Sequence, residues 1–439
     1  MPTLKSGLNA QANLDLLGFT QGIDLDKPLA VCEVQVQEAW AKGLCAAGYL
    51  QAAERDQLLQ VLSEARELFV ADQFPWKVED EDVHMNLERF MSERLGALGK
   101  RIHLGRSRND LIATTLRLFV SEQCRVVSDQ VGQLIGSLVA QAETNIEVIV
   151  PGLTHLQFGQ PIRMAQVFLS HAWGFKRDLA RLKFCADQAM ESMPLGSAAL
   201  GGTHIAIDLP AIAEELGFSN PSFNSYDSVG DRDFVQLSLQ CFSSIAIHMS
   251  RLAEDVIIWS SQPYRWLALP PEWSTGSSIM PNKRNPDVAE IVRAKSAQVI
   301  GAEQSGQLLL KGLVSSYSSD LHELKRVYLG SLNQIQACLS VFPPFVAGLQ
   351  VNQESVAKHL NSGHILATEI ANQLTEKGTP FREAYAEVAQ LVDRAEKDGK
   401  QIHQCGEFEL SFEKAVEQRS NCGGTARAQI LEQIQKLKI

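Results

Sequence analysis

The chain has 439 residues, 45% of them hydrophobic and 21% charged, an ordinary balance for a soluble globular protein and too long for one compact core. A net charge of -11 argues against a general nucleic-acid binder, so an anionic substrate would need a locally positive site. No apolar run is long enough to span a bilayer, no signal-peptide core follows the first residues, and the eight cysteines include no C-x-x-C pair; together these predict a cytoplasmic protein with reduced thiols and no membrane partner.

Helical periodicity dominates in chain order. Residues 34–50 and 53–70 read as two amphipathic helices. Acids at Glu79-Asp-Glu-Asp82 open a third, which ends near Gly96 and Gly99. Five long runs follow, at 110–147, 161–190, 231–262, 286–311 and 321–347. Rods of roughly 25 to 40 residues exceed the usual helix length and predict a bundle shared between subunits. No strand alternation stands out in this region. Beyond Phe342-Pro-Pro344 the texture changes to shorter helices at 367–377, 381–397, 411–418 and 425–437. The expected fold class is all-α, with an N-terminal helical domain at 1–104, a central long-helix domain at 105–348 and a C-terminal helical domain at 349–439.

Polar loops feed the starts of three long helices. Gly105-Arg-Ser-Arg-Asn-Asp110 precedes the first, and its guanidinium, hydroxyl and amide groups can hold carboxylates; capped surface arginines would read the same. Pro151-Gly-Leu-Thr-His-Leu-Gln157 precedes the second and carries His155, a residue type suited to proton transfer near neutral pH but more often structural. Ser274 to Asp287 precedes the fourth. There Asn285, Pro286 and Asp287 have the pattern of an N-cap, first helical position and first-turn acid, and Lys283 adds a cation, so the helix start suits an anion. Ser277 lies in the flexible part of this loop without a G-x-S-x-G elbow. Glu290, in the second turn of the helix, is a candidate carboxylate partner for His155. Without H-E-x-x-H, P-loop or G-x-G-x-x-G motifs, no metal or nucleotide cofactor is expected, which favours proton transfer or elimination.

These residues carry a resemblance. Ser277-Ser-Ile-Met-Pro-Asn-Lys-Arg-Asn-Pro-Asp287 resembles the signature loop of the fumarase/aspartase/argininosuccinate lyase superfamily. Within it, His103-Leu-Gly-Arg-Ser-Arg-Asn-Asp110, Pro151-Gly-Leu-Thr-His-Leu-Gln157, Pro194-Leu-Gly-Ser-Ala-Ala199, Asp231-Arg-Asp-Phe-Val235, Gly423-Gly-Thr-Ala426 and Glu81-Asp-Val-His84 are most similar to the argininosuccinate lyase branch. The resemblance runs from about residue 19 to 428. It implies a cofactor-free homotetramer, with composite active sites each assembled from three subunits, that reversibly cleaves argininosuccinate to arginine and fumarate. Ser277, His155 and Glu290 match the acid–base groups. Thr154, Ser107, Arg108, Asn109, Lys283 and Asn285 match groups that hold the succinyl portion, and Tyr317, His322 and Lys325 occupy substrate-contacting positions.

The departures are specific. His322 stands where the family has a glutamine that helps bind the substrate, Leu104 replaces a common Thr, Phe158 a common Arg, and Gly22 aligns with a family serine. The W-G-G-R-F start is missing, and Asn282 and Arg284 stand for Gln and Lys. The elimination groups are therefore present, whereas the part that reads the leaving amine is altered. Two further readings stay open: a fumarate-forming lyase acting on another N-substituted aspartate, and a non-catalytic, crystallin-like homologue.

Overall fold

The computed structural model describes residues 18–405 and 408–438. The first two expected helices are α1 (Ala30–Ala46) and α2 (Ala52–Val70), which pack on each other around Trp40, Leu44, Leu58 and Leu62. The third is α3 (Val83–Leu95). The acidic run does open it: Asp82 has extended backbone and its Oδ1 accepts the Met85 N–H at 2.8 Å, an N-cap that satisfies one orphan donor of the first turn.

The five long runs are continuous helices: α4 (Arg108–Thr144), α5 (Met164–Ala189), then after the short α6 (Leu209–Leu216) α7 (Asp233–Ser260), α8 (Asp287–Leu310) and α9 (Asp320–Ala347). The longest has 37 residues and the shortest 24, about 55 and 36 Å at the usual rise per residue. The fold is all-α with a bundle of long helices at its centre. Beyond α9 come α10 (Gln353–Leu360), α11 (Ala367–Glu376), α12 (Phe381–Lys397) and α13 (Arg427–Leu437). Ile370, Ala371, Val388, Leu391 and Ile402 form a small core between α11 and α12.

The chain forms two compact units, each drawn from separate stretches, and every long helix gives one part to each. The first unit comprises the described residues up to Val127 with Arg181–Ser243 and Val299–Asn333. In it Cys124 of α4 lies 3.5 Å from both Cys185 of α5 and Ser238 of α7. Phe242 of α7 stacks on Tyr328 of α9 at 5.8 Å. A Cβ on Gly306 of α8 would come 2.7 Å from Leu239, so glycine is what lets α8 close on α7. The second unit comprises Ser128–Ala180, Ser244–Gln298 and the described residues from Gln334 on. Here His171 of α5 bonds Asp255 of α7 at 2.8 Å, Arg293 of α8 pairs with Glu254 at 2.6 Å, and Gln141 Nε2 of α4 reaches the carbonyls of Val346, Ala347 and Leu349 at 2.9–3.0 Å.

Two expectations need correction. The stretch before α5 is not a plain loop: β1 (Ile149–Thr154) and β2 (Gln157–Arg163) form an antiparallel hairpin. Pro151 faces Pro161 in the ladder, so neither donates there, and the alternation is interrupted by a register shift between Pro151 and Leu153. Helix α8 starts at Asp287, not Pro286, and Asn285 does not cap it. The Asn285 N–H is already given to the Thr275 carbonyl at 2.9 Å and its Nδ2 to Thr275 Oγ1 at 3.2 Å. Among the described residues no helix is long and apolar enough to cross a membrane.

Candidate active site

In the first unit the loop before α4 is fixed by a single carboxylate. Asp110 accepts the Ser107 N–H at 3.0 Å on one oxygen, and the Gly196 and Ala198 N–H groups at 3.1 and 2.8 Å on the other. Asn109 Nδ2 donates to the Ala199 carbonyl at 3.0 Å. The 194–199 motif is thus tied to the 103–110 motif. Arg106 turns inward and is buried beside the Trp40 ring, 5.8 Å away, and burial pulls its pKa down. Arg108 turns the other way.

Ser107, Arg108 and Asn109 line a cleft of about 1110 Å³ together with Tyr317 and His322, and with Gln21, Asp82 and Glu88. Five of the nine predicted substrate-binding residues therefore meet in one place. Lys325 is not on the wall of this cleft: it is 2% exposed and ion-paired to the equally buried Asp26. Tyr317 is delivered by a close approach of two loops, since a Cβ on Gly230 would lie 2.4 Å from the Ser316 carbonyl oxygen.

The cleft is strongly charged. Arg108 is bonded to Asp82 and lies 3.6 Å from Glu81. Burial opposes charge on Asp82, yet the neighbouring His84 and Arg108 outweigh it and hold the carboxyl below its ordinary range. His84 Nδ1 lies 2.9 Å from Glu33, which also accepts from Gln37 at 2.6 Å and Thr115 at 2.7 Å. Burial again opposes the His84 charge, but Glu33, Asp82 and Asp26 together raise its pKa. His322 goes the other way: burial first, and Lys325 second, push it down to about 4, so it is neutral near pH 7. Burial raises the Tyr317 phenol.

The second unit presents the other predicted residues, all in exposed or half-exposed positions. Thr154 and Gln157 close the hairpin around a two-residue turn, His155-Leu156, with φ of 55° and 59°. Positive φ at both central residues is the type I′ pattern, normally given to Asn or Gly, so this turn holds His155 at the tip at a steric cost. In the loop before α8, Thr275 bonds Asp287 Oδ2 through Oγ1 at 2.6 Å, and with Asn285 it clasps the loop base. Ser277 Oγ accepts the Ile279 and Met280 N–H groups at 3.3 and 3.1 Å. Lys283 and Glu290 are exposed, and among the described residues no hydrogen bond or ion pair joins Glu290 to His155.

Backbone strain concentrates in these segments. Of eight described non-glycine residues with positive φ, five are Glu81, His155, Leu156, Ala198 and Ser316, each in or beside a predicted site motif. Such conformations cost of order 1–3 kcal/mol each and persist where the surroundings impose them. Sequence reasoning missed Asp82 as a member of the site and Asp26 as the buried partner of Lys325. The Glu81-Asp-Val-His84 motif was the available signal for Asp82. Asp26 had none, because its partner Lys325 lies 299 positions away.

The profile of the family described as Lyase matches residues 16–301, and that described as Argininosuccinate lyase C-terminal matches 364–421. The chain is 40% identical to the argininosuccinate lyase of Lawsonia intracellularis over 96% of its own length and 94% of that protein's. It is 37% identical to that of Oleidesulfovibrio alaskensis, with the same coverage of each. In fold it is similar to the crystal structure of EDDS lyase in complex with formate, with a TM-score of 0.78 at 21% identity over 93% of this chain and 86% of that one. Near-full-length identity of this order, with both profiles in sequence order, leaves one conclusion: the chain is a lyase and belongs to the argininosuccinate lyase family.

Proposed function

We propose that the chain cleaves argininosuccinate reversibly to L-arginine and fumarate, as a soluble cytoplasmic homotetramer. The observation that carries this reading is the cleft in which Ser107, Arg108, Asn109, Tyr317 and His322 converge, in a chain that has a near-full-length match to proteins of that name. The tetramer is supported by large apolar side chains that the long helices leave exposed, among them Phe184, Ile247, Ile291 and Leu308 at 45–66%. Composite sites are supported by the exposure of His155, Lys283 and Glu290, whose side chains have no partner among the described residues. The segments 1–104, 105–348 and 349–439 are the three domains in this reading, and limited proteolysis near 104 and 348 checks that division.

In the proposed mechanism Ser277 acts in its deprotonated form: the C–H bond beside a succinyl carboxylate breaks, its proton passes to the Ser277 alkoxide to restore the hydroxyl, and the electron pair delocalises into that carboxylate. The resulting doubly charged group is held by Lys283, Asn285 and the N-terminus of α8, whose donors are stronger partners for the intermediate than for the substrate. The pair then forms the double bond as the C–N bond breaks. A proton delivered to the nitrogen completes the elimination, with His155 and Glu290 supporting the transfer. Ser107, Arg108, Asn109 and Thr154 hold the succinyl portion, while Tyr317 and His322 face the rest of the substrate. Lys325, buried against Asp26, holds the wall that carries His322.

The test is a substrate panel with fumarate detection. Argininosuccinate is expected to be turned over and adenylosuccinate and aspartate not. Turnover of another N-substituted aspartate in its place would favour the neighbouring lyase reading, for which His322 in the glutamine position is the supporting observation. Absence of turnover on all three would favour a structural role.

A further inference from the structure

A turn with positive φ at both His155 and Leu156 persists only where its surroundings impose it. Two anchors within the second unit do so. At the base of the hairpin Arg163 is fully buried: its N–H donates to Thr425 Oγ1 at 2.7 Å, and its guanidinium donates to the Ile146 carbonyl at 2.9 Å and to Glu413 and Glu417 at 2.6 Å. Near the tip the anchor is Phe158, which pairs with Leu153 in the ladder, next to the Thr154–Gln157 pair that closes the turn. Its ring stacks on Trp266 with centroids 6.3 Å apart and meets His359 edge-on at 5.7 Å. That platform is itself fixed. Trp266 is buried, its Nε1 donates to His359 Nδ1 at 3.1 Å, and Tyr264 stacks on His359 at 5.9 Å. Phe158 also lies against Gly363, where a Cβ would come 3.1 Å from Phe158 Cδ2 and where φ is 71°. Space and backbone both call for glycine there. The His155 side chain has no partner among the described residues, so whatever places the imidazole acts through the hairpin backbone.

We propose that Phe158 is a positioning residue for His155: its ring, seated on Trp266, His359 and Gly363, fixes the hairpin tip at the place from which the imidazole serves the reaction. This rests on the lyase reading for the role of His155. Strand pairing couples Phe158 to Leu153, one residue before Thr154, so a shift of the ring moves both strands at the tip. A misplacement of about 1 Å can cost ~100-fold in rate. Phe158 stands where the family commonly has an arginine, so this brace belongs to the present chain and not to the shared motif around His155.

The experiment is a double-mutant cycle on the full-length chain. Phe158→Ala, Phe158→Leu and Phe158→Tyr are made in the wild type and in His155→Asn, and are read by kcat at saturating argininosuccinate and by amide hydrogen exchange over 149–163. Phe158→Ala is expected to lower kcat by about 10- to 100-fold in the wild type. In His155→Asn, where the imidazole to be placed is gone, the same change is expected to cost less than about twofold. Phe158→Leu should lose less than Phe158→Ala, and Phe158→Tyr, which keeps the ring, should stay within about threefold of the wild type. Exchange over 149–163 should speed up about tenfold in Phe158→Ala while the amides of α1, in the other unit, keep their rates. Equal losses of kcat in the two backgrounds would make Phe158 a structural residue only and overturn the proposal. So would unchanged kcat and unchanged exchange in both Phe158→Ala and Phe158→Leu. Exchange does not need turnover, so a wild type that releases no fumarate, yet whose hairpin loosens in Phe158→Ala, would sink the lyase reading and leave the placement of the His155 tip by Phe158 standing.

Discussion

Asp82 holds two elements with one carboxylate: Oδ1 caps α3 through the Met85 N–H at 2.8 Å, and Oδ2 is bonded to the Arg108 guanidinium at the start of α4. The carboxylate is 1% exposed and the guanidinium 25%. Removing it loses a cap, about 1 kcal/mol, and strands a partly buried cation. The cation's share is below the ~3–5 kcal/mol of a fully buried pair because water still reaches Arg108. Asp82→Ala is therefore expected to lower unfolding stability by about 2–4 kcal/mol and to weaken substrate binding through a misplaced Arg108. A urea titration that shifts by less than about 0.5 kcal/mol would show that the two roles are dispensable.

What could be read from sequence and what could not divides by distance along the chain. Helices such as Asp233–Ser260 and Asp320–Ala347 announce themselves locally, because period and length are carried by neighbouring residues. The cleft residues Ser107, Arg108 and Asn109 were legible as a motif, and so was the Ser277 loop. The Asp26–Lys325 pair was not, since nothing near either residue indicates the other. Asn285 was misread for a related reason: its pattern fits an N-cap, but its two donors hold Thr275, ten residues earlier, and among the described residues no first-turn N–H donates to its Oδ1. The hairpin was hidden by Pro151 and Pro161, residues that usually argue against a strand.

The pH dependence of stability follows from the cluster around His84. The His84 pKa is raised above its ordinary 6.5, so the stability it contributes is fully present below that value and is lost as pH rises through the folded-state pKa. Glu33 and Asp82 are lowered, so theirs is present above the ordinary 4.5 and 3.8 and is lost as pH falls through the folded values. Stability should be greatest between those limits and fall toward alkaline pH with a slope of up to ~1.4 kcal/mol per pH unit for one proton. His84→Gln keeps a donor for Glu33 and removes the titration. Its melting temperature should be flat over pH 6 to 9, a range of about three units, where the wild type declines; parallel profiles would assign the decline to another group.

Gly230 tests how Tyr317 is placed. A methyl group there would meet the Ser316 carbonyl oxygen at 2.4 Å, and the obstacle is backbone, which cannot rotate away. Ser316 is already at φ 70°. Gly230→Ala must displace the loop that ends in Tyr317, at a cost of about 1–3 kcal/mol. The expected result is a raised KM for argininosuccinate with a smaller change in kcat, since the loop carries Tyr317, which lines the cleft. An unchanged KM would mean that Tyr317 is not placed by this contact.

The proton-transfer assignment is best separated by two substitutions that leave the backbone alone. Ser277 Oγ accepts only the N–H groups of its own loop, at Ile279 and Met280, so Ser277→Ala removes two weak turn bonds and little else. His155 needs a residue that tolerates a φ of 55°, and asparagine does so better than most, so His155→Asn keeps the hairpin while removing the imidazole. A general acid or base contributes about 100-fold or more. Ser277→Ala is expected to cost at least that in kcat at all pH values, with an unchanged melting temperature. His155→Asn should cost a comparable factor in kcat, since it removes the imidazole from the hairpin tip. If Ser277→Ala loses less than about tenfold while His155→Asn loses everything, the histidine is the base and the serine only closes the loop.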